Sequence, residues 1–371
     1  MPNRKMIFHI PCFIDLNAKS GSSIRPIKMI QAFKDNGYDV DIVMGYAKER
    51  KKQILNIKKN IKDGVKYDFL YSESSTMPTL LTEKNHLPMH PFLDFSFFKF
   101  CKKHNIKIGL FYRDVYWKFN EYKNNVSKIK RIVAIALYRY DLLKYKHTID
   151  VMYLPSLKMK NFVYDDFNGL IFSDLPPGIE VKKNIKINKN SSLNIFYVGG
   201  ITKPGGLYDV SKLIDITNID ENINLTICCR KNEWDSVKQF YKGIINDRVK
   251  IIHKSGVELD DYYNKADLCS LIFPYNDYRL FAVPIKLFEY LSYQKPIITT
   301  DKSAVSEYVE KNDVGFVVNY SDKSIEKTIK KILNNRNILI EKTNNIKKIF
   351  VSETWKSRAK KVERDLKGLI K

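Results

Sequence analysis

Residues 267–300, "DLCSLIFPYNDYRLFAVPIKLFEYLSYQKPIITT", read as an apolar strand, a polar loop, a short helix and a second apolar strand. The strand runs are nearly continuous in apolar residues, which suits a parallel sheet covered on both faces. Two charges interrupt the helix, Lys286 and Glu289. Three positions apart, they share a helix face, and as an exposed salt bridge they would contribute only about 0.3–0.5 kcal/mol. A second reading makes them ligands. Pro284 suits the first helical turn, where its missing N–H costs nothing. Lys286 then falls where the helix dipole disfavours a cation, a conflict that a bound diphosphate would resolve. At an effective dielectric of about 20, a charge pair about 4 Å apart is worth roughly 4 kcal/mol before desolvation. A carboxylate one turn further in can accept two ribose hydroxyl hydrogens.

Working outward, strand-like and helix-like runs alternate from the start: "KMIFHIPCF", "IRPIKMIQAFKDNG", "YDVDIVMG", a Lys-rich helix from Ala47 to about Asp63, "YDFLYSES", "IKIGLFYRDVYW", a long helix from about Glu121 to His147, and "DVMYLPS". Around "LIFSDLPPGIEVKKNIKINKNSS" the pattern lapses into Pro, Gly, Lys and Asn, as an interdomain connection does. A second series follows, with "LNIFYVGGI", a helix from about Tyr208, "INLTICC", a helix from about Glu233, "VKIIHKSG" and the opening stretch. The expected class is α/β: two facing Rossmann-like domains, residues 1–181 and 182–351, with parallel sheets and a deep interdomain cleft. Ligands in such sheets sit outside the carboxyl ends of the strands.

The chain has 371 residues, 44% hydrophobic and 28% charged, which suits two globular cores rather than disorder. A formal net charge of +23 favours anionic partners. A chain-wide richness in Lys, Ile and Asn would produce the same excess. Cys12, Cys101, Cys228, Cys229 and Cys269 are scattered and form no C-x-x-C pair, against a disulfide framework or a zinc site. The cytoplasm is the expected compartment. "MPNRKMIFHIPCFIDLNA" reads as a first strand, and no window has the ~20 uninterrupted apolar residues of a membrane span.

Strand, glycine-rich turn and helix together can bring backbone N–H groups to a phosphate. The arrangement occurs twice. "NAKSGSSIRP" places Ser20, Gly21, Ser22 and Ser23 before a helix, and "YVGGITKPGGLYDV" carries Gly199, Gly200, Lys203, Gly205 and Gly206. Neither matches a P-loop or G-x-G-x-x-G, and either alone reads as turn glycines that permit positive φ.

"VPIKLFEYLSYQKPIITTDKSAVSEYVEKNDVGFVV" resembles the donor-binding region of GT4-like GT-B glycosyltransferases. The resemblance implies that Glu289 holds the nucleotide ribose and that Val283, Pro284, Ile285 and Lys286 form the turn that offers N–H groups to the diphosphate. "YVGGITKPGG" is similar to the family's first nucleotide-domain turn, with Gly200 in it and Lys203 nearest to its phosphate-binding lysine. "VKIIHKSGVELDDYYNKADLCSLIFP" is similar too, with His253, Lys254 and Ser255 where the base edge is met. The resemblance also implies that the C-terminal helix, residues 352–371, completes the first domain. Two departures stand out. The first of the family's two glutamates, eight positions apart, falls at Phe281, and an arginine common in the glycine turn is Gly200.

In the N-terminal half "FYRDVYWKF" puts Arg113 and Asp114 where the family has a histidine. They either wall the cleft and serve the reaction, or pair with each other or cap the next helix. The helix through "SKIKRIVAIALYRYDLLKYKH" carries an apolar stripe, Val126, Ile129, Val133, Ala136, Tyr140 and Leu143, expected to be mostly core. Its surplus aromatics and lysines also suit peripheral contact with an anionic membrane, at the inner face of the cytoplasmic membrane.

The resemblance implies a nucleotide-sugar-dependent glycosyltransferase of surface polysaccharide (capsule or O-antigen type) assembly. A saccharide or lipid-linked saccharide would be its acceptor. Retention of configuration is expected, with no cofactor and no metal, because cations and helix N-termini would stabilise the leaving diphosphate. The alternatives are a nucleotide-sugar epimerase or hydrolase on the same frame, and a basic nucleic-acid-binding protein without any recognised module.

Overall fold

A computed structural model describes residues 4–15, 21–163, 169–182 and 192–369. The chain divides into two compact units, Met1–Pro177 with Trp355–Lys371, and Gly178–Thr354.

In the first unit the order is β1 (Arg4–His9), α1 (Gly21–Asp35), β2 (Tyr38–Val43), α2 (Ala47–Lys62), β3 (Phe69–Glu73), α3 (Leu93–Lys103), β4 (Lys107–Phe111), α4 (Asn120–Asn125), α5 (Lys128–Thr148), β5 (Val151–Leu154), α6 (Lys160–Val163) and β6 (Ile171–Asp174). Its strands form one six-stranded sheet, β2-β1-β3-β4-β5-β6, with every pairing parallel. The fully buried patterns of β3 and β5 are what a sheet covered on both faces requires.

The second unit contains β7 (Leu193–Val198), α7 (Ser211–Asp215), β8 (Ile223–Cys228), α8 (Lys231–Tyr241), β9 (Val249–Ile252), α9 (Asp260–Lys265), β10 (Leu268–Leu271), α10 (Ile285–Ser292), β11 (Ile297–Thr300), α11 (Ala304–Asn312), β12 (Gly315–Val318), α12 (Asp322–Asn334) and α13 (Asn337–Ile349). Its sheet, β12-β11-β10-β7-β8-β9, is also parallel throughout. The last helix, α14 (Trp355–Lys367), returns to the first unit and packs on α1, β4 and β3. Gly109 on β4 makes room for it, since a Cβ there would lie 2.8 Å from the Tyr153 ring and 3.1 Å from Leu366.

Several expected boundaries are corrected. The stretch read as interdomain connection contains β6, an edge strand with exposed or half-buried residues throughout and hence no apolar run to announce it; residues 183–191 of that stretch lie outside the described residues. The helix expected from Glu121 to His147 is broken at Val126 and Ser127, both extended (ψ 129 and 147). The helix expected from Tyr208 begins at Ser211 and is five residues long. Gly21 and Ser22 are the first residues of α1 rather than a turn before it, and Ser20 lies outside the described residues.

The apolar stripe of α5 faces outward. Its buried residues are Ala134, Tyr138, Asp141, Leu142, Tyr145 and Thr148, whereas Ile129, Val133 and Leu143 are 78%, 49% and 55% exposed. Tyr138 stacks on Trp117 at 5.2 Å, and Tyr145 packs on Phe95 at 5.4 Å. Tyr138 and Tyr145 thus anchor the inward face, together with Ala134 and Leu142, while Ile129, Val133 and Leu143 look outward.

Asp141, on the buried face, accepts the Thr79 N–H at 2.7 Å through Oδ2, and its Oδ1 has no hydrogen-bond partner. Burial pushes its carboxyl up to about 7, helped by the charge of Asp94 and opposed by the Thr79 hydrogen bond. Because the folded-state value is raised, protonation favours the fold. The destabilisation grows as pH rises from the unfolded value of about 4 and is complete above about 7. Asp141→Asn should therefore raise stability at pH 8, by roughly 4 kcal/mol at most, and match the parent near pH 4. Urea unfolding at the two pH values checks this; equal gains at both would contradict it.

Candidate functional site

In the second sheet the strand order reverses between β7 and β10, the switch point where open α/β sheets bind ligands. At that point β7 runs out into Gly199 and Gly200. The Val198 N–H donates to the hydroxyl of Tyr290 at 3.0 Å, and the Gly199 N–H donates to the Cys228 carbonyl at 3.0 Å. The Tyr197 hydroxyl folds over the turn and donates to the Gly200 carbonyl at 2.5 Å. A Cβ at Gly199 would sit 2.2 Å from that hydroxyl oxygen, so any other residue would force the Tyr197 ring to move. The loop beyond is internally tied: Thr202 N–H to Tyr208 O at 3.1 Å, Tyr208 N–H to Thr202 Oγ1 at 3.0 Å, and Gly205 N–H, at φ +79°, to Asp209 Oδ2 at 2.8 Å. Lys203 is exposed on this loop.

On the other side of the switch point β10 leads into Arg279. Its Nη2 donates to the Leu207 carbonyl of the glycine loop, and its guanidinium lies 4.1 Å from the centroid of the Phe273 ring. Its Nε is buried without a hydrogen-bond partner. Burial, opposed by the neighbouring tyrosines, lowers its pKa from the ordinary value.

The segment Val283–Lys286 is half-buried and opens α10. Pro284 is the N-cap (φ −71°, ψ 146°) rather than a residue of the first turn, and no side chain caps the helix there. Lys286 Nζ meets Glu289 Oε2 at 2.7 Å, with the two side chains 28% and 29% exposed. The pair forms, yet neither member stands in bulk solvent. Burial and then the Glu289 charge hold the buried Tyr263 hydroxyl well above its ordinary pKa. The Cys228 thiol at the end of β8, raised chiefly by burial, also feels both Lys286 and Glu289. His253 and Ser255 follow β9 at the same edge: His253 Nδ1 lies 2.9 Å from the Cys229 carbonyl, and Ser255 flanks the turn Gly256–Leu259. The fold thus brings Gly200, Lys203, His253, Ser255, Val283–Lys286 and Glu289 to one edge of one sheet.

The first sheet reverses between β1 and β3, and an open cavity of about 220 Å³ lies there, lined by Cys12, Phe13 and Ile14 after β1, Ser23 of α1, Ser75, Thr76, Met77 and Thr82, and Arg113 after β4. Arg113 Nη2 donates to Glu73 Oε2 at 2.9 Å, and its Nε donates to the Ser74 carbonyl at 3.2 Å. Glu73 is fully buried and also lies 3.3 Å from Arg25 Nε. Asp114 Oδ1 accepts the Tyr116 N–H at 2.8 Å and so caps the turn Tyr116–Lys118. Gly21 and Ser22 lie at the start of α1, whose Ser23 reaches the cavity.

Beneath this edge His9 lies between Ser72 Oγ (2.8 Å from Nδ1) and Asp94 Oδ1 (2.9 Å from Nε2), and Arg50 donates to both Asp94 oxygens. The set has the composition of a hydrolytic triad. His9 and Ser72 are each 1% exposed, however, and burial keeps His9 below its ordinary pKa, so it is a structural tie among β1, β3, α2 and α3.

Sequence reasoning missed Arg279, Tyr290 and the Arg25–Glu73–Arg113 cluster. A signal for Arg279 was present: a lone cation in the loop that leaves the strand beside the switch point. One Asp-x-Asp does occur, Asp39–Val40–Asp41; it lies inside β2, and Asp39 is paired with Lys5 at 2.6 Å.

Residues 179–349 match the family model for glycosyl transferases group 1, which covers nearly all of the second unit. A search of curated proteins by sequence found no match. Among solved structures, sucrose-phosphate synthase from Thermosynechococcus elongatus is similar at TM-score 0.63 and 12% identity, over 99% of each chain. HepE from Anabaena, in complex with UDP and glucose, gives 0.62 and 11%, over 99% of this chain and 100% of that one. WaaG, a glycosyltransferase involved in lipopolysaccharide biosynthesis, gives 0.58 and 12%, over 98% and 100%. At these identities the structures establish the fold, and the family match assigns the second unit. With its two parallel six-stranded sheets the chain has the GT-B fold, and its second unit, over residues 179–349, matches glycosyl transferases group 1.

Proposed function

We propose that the protein transfers a sugar from a nucleotide-sugar donor, bound at the carboxyl edge of the second sheet, to a saccharide or lipid-linked saccharide in surface polysaccharide assembly of the capsule or O-antigen type. The observation that carries this reading is the convergence of a glycine turn closed over by Tyr197, Arg279 and the Lys286–Glu289 pair on one strand switch point. An anion-recognising turn, a desolvated guanidinium and an uncapped helix start are the elements a diphosphate needs.

In this reading the pair is the ligand-free form of the site. A diphosphate arriving at the start of α10 takes Lys286 from Glu289 and relieves the repulsion between the ammonium and the helix dipole. Glu289, released, accepts the ribose hydroxyls. Arg279, Lys203 and the N–H groups near Gly200 and Val283–Lys286 neutralise the departing nucleoside diphosphate, the electrostatic task a metal performs elsewhere. The reaction is accordingly metal- and cofactor-independent. Retention follows if the leaving phosphate itself takes the acceptor proton on the attacked face. His253 and Ser255 meet the base edge.

The cavity of the first unit takes the acceptor, with Arg113 held by Glu73 as its cationic wall, Asp114 beside it, and Gly21 and Ser22 at the neighbouring helix start. An acceptor-independent turnover of donor would instead favour the epimerase or hydrolase alternative.

In a thermal-shift screen with UDP, GDP, CDP and their sugars, one nucleoside diphosphate should raise the melting temperature saturably, because a ligand bound only to the native state stabilises it. Glu289→Ala should abolish that shift while altering unliganded stability by no more than about 1 kcal/mol, the range of a partly exposed ion pair. Unchanged donor affinity in this variant would return the pair to a surface salt bridge.

Arg279→Ala should weaken binding of the diphosphate more than of the nucleoside, by roughly tenfold or more for a charge-assisted contact. Parallel titrations with nucleoside and nucleoside diphosphate check this. Equal losses for the two would assign Arg279 to loop support alone.

A further inference from the structure

We infer that the outward face of α5 is a docking surface for an anionic lipid bilayer, a role that stands on this helix alone and not on the donor site. The helix has two faces of opposite habit. Inward, Ala134, Tyr138, Asp141, Leu142 and Tyr145 pack against the body of the first unit. Outward, Ile129, Ile132, Val133, Ala136 and Leu143 follow one another at helical spacing, and the four larger ones are 78%, 60%, 49% and 55% exposed in sequence order. Residues that would ordinarily form a core therefore line a solvent-facing stripe on a helix of 21 residues, about 31 Å long. No helix among the described residues is long and apolar enough to cross a membrane, so this stripe can only lie on one.

Charge decides the occupant. The stripe is bordered by Lys128, Lys130, Arg139, Lys144 and Lys146, and α5 has a single acidic residue, Asp141, on its buried face. The outward face thus carries cations and no carboxylate of its own, the pattern with which an interfacial helix sinks apolar side chains among acyl chains while its cations meet lipid phosphates. A second copy of the chain is disfavoured, because a two-fold contact would set cations against the same cations. A nucleic acid would use the cations and leave the aliphatic stripe in water.

Co-sedimentation of the full chain with phosphatidylcholine vesicles, with and without phosphatidylglycerol, tests this. Binding should require the anionic lipid and fall with salt. Two triple variants separate the contributions, Ile129→Ser/Ile132→Ser/Leu143→Ser and Lys128→Gln/Lys130→Gln/Arg139→Gln, both at solvent-facing positions. Each should lower the partition coefficient by about tenfold or more, with circular dichroism and melting temperature unchanged. Equal binding to neutral vesicles would overturn the inference. So would undiminished binding by the aliphatic variant, which would trace adsorption to overall charge. A concentration-dependent dimer abolished by the same variant, without vesicle binding, would assign the face to self-association and overturn it as well.

Discussion

The arrangement of the carboxyl edge of the second sheet depends on where the last main-chain N–H of β7 goes. A parallel strand that runs out of its sheet leaves N–H and C=O groups that water or a side chain must satisfy. Here the Val198 N–H is taken by the hydroxyl of Tyr290, a fully buried residue of α10 adjacent in sequence to Glu289. One hydrogen bond thus registers the helix that carries Lys286 and Glu289 against the strand that ends in the glycine turn. The tyrosine ring, packed within the apolar core of the second unit, makes the tie stiff. The chemistry of the edge can then be polar and partly exposed without being loosely placed.

The two sheets treat buried charge differently at their switch points. In the first, Glu73 is wholly buried between Arg25 and Arg113, so the cation that faces the cavity is anchored by a carboxylate that never meets solvent. Such a cluster contributes little net stability, since desolvation offsets attraction, but losing one member strands the others. In the second, Arg279 has no carboxylate partner of this kind among the described residues and rests on aromatic rings and a main-chain carbonyl. A guanidinium supported by rings and one carbonyl keeps an unmet demand for an anion, which is the property a diphosphate site needs.

The helix α5 shows how amphipathic patterning misleads. Its aliphatic residues fall at core-like spacing, and that spacing is compatible with burial. What sets its orientation is the packing of Tyr138 on Trp117 and of Tyr145 on Phe95, contacts with residues far away in the chain. With apolar residues on both sides, two tyrosines with Ala134 and Leu142 on one and isoleucine, valine and leucine on the other, periodicity alone ranks neither as inner. The consequence is a buried Asp141 whose pKa is raised and an exposed stripe of isoleucine, valine and leucine.

The alternation of apolar runs and helical segments determined the α/β class and the parallel sheets, because a strand buried on both faces must be apolar along its length. The motif around Lys286 and Glu289 also drew attention to the carboxyl edge of the second sheet, since a cation at a helix start is locally unfavourable and asks for a reason. Strand β6 escaped notice because an exposed edge strand need not be apolar. The roles of Tyr290 and Glu73 were equally hidden, because each is defined by a partner distant in the chain, and Arg279 showed in the sequence only as a lone loop cation. Local sequence specifies what a segment can become. Which face it buries, and which hydroxyl or carboxylate meets which distant donor, is decided only when the strands take their order and the remaining buried polar groups must find partners.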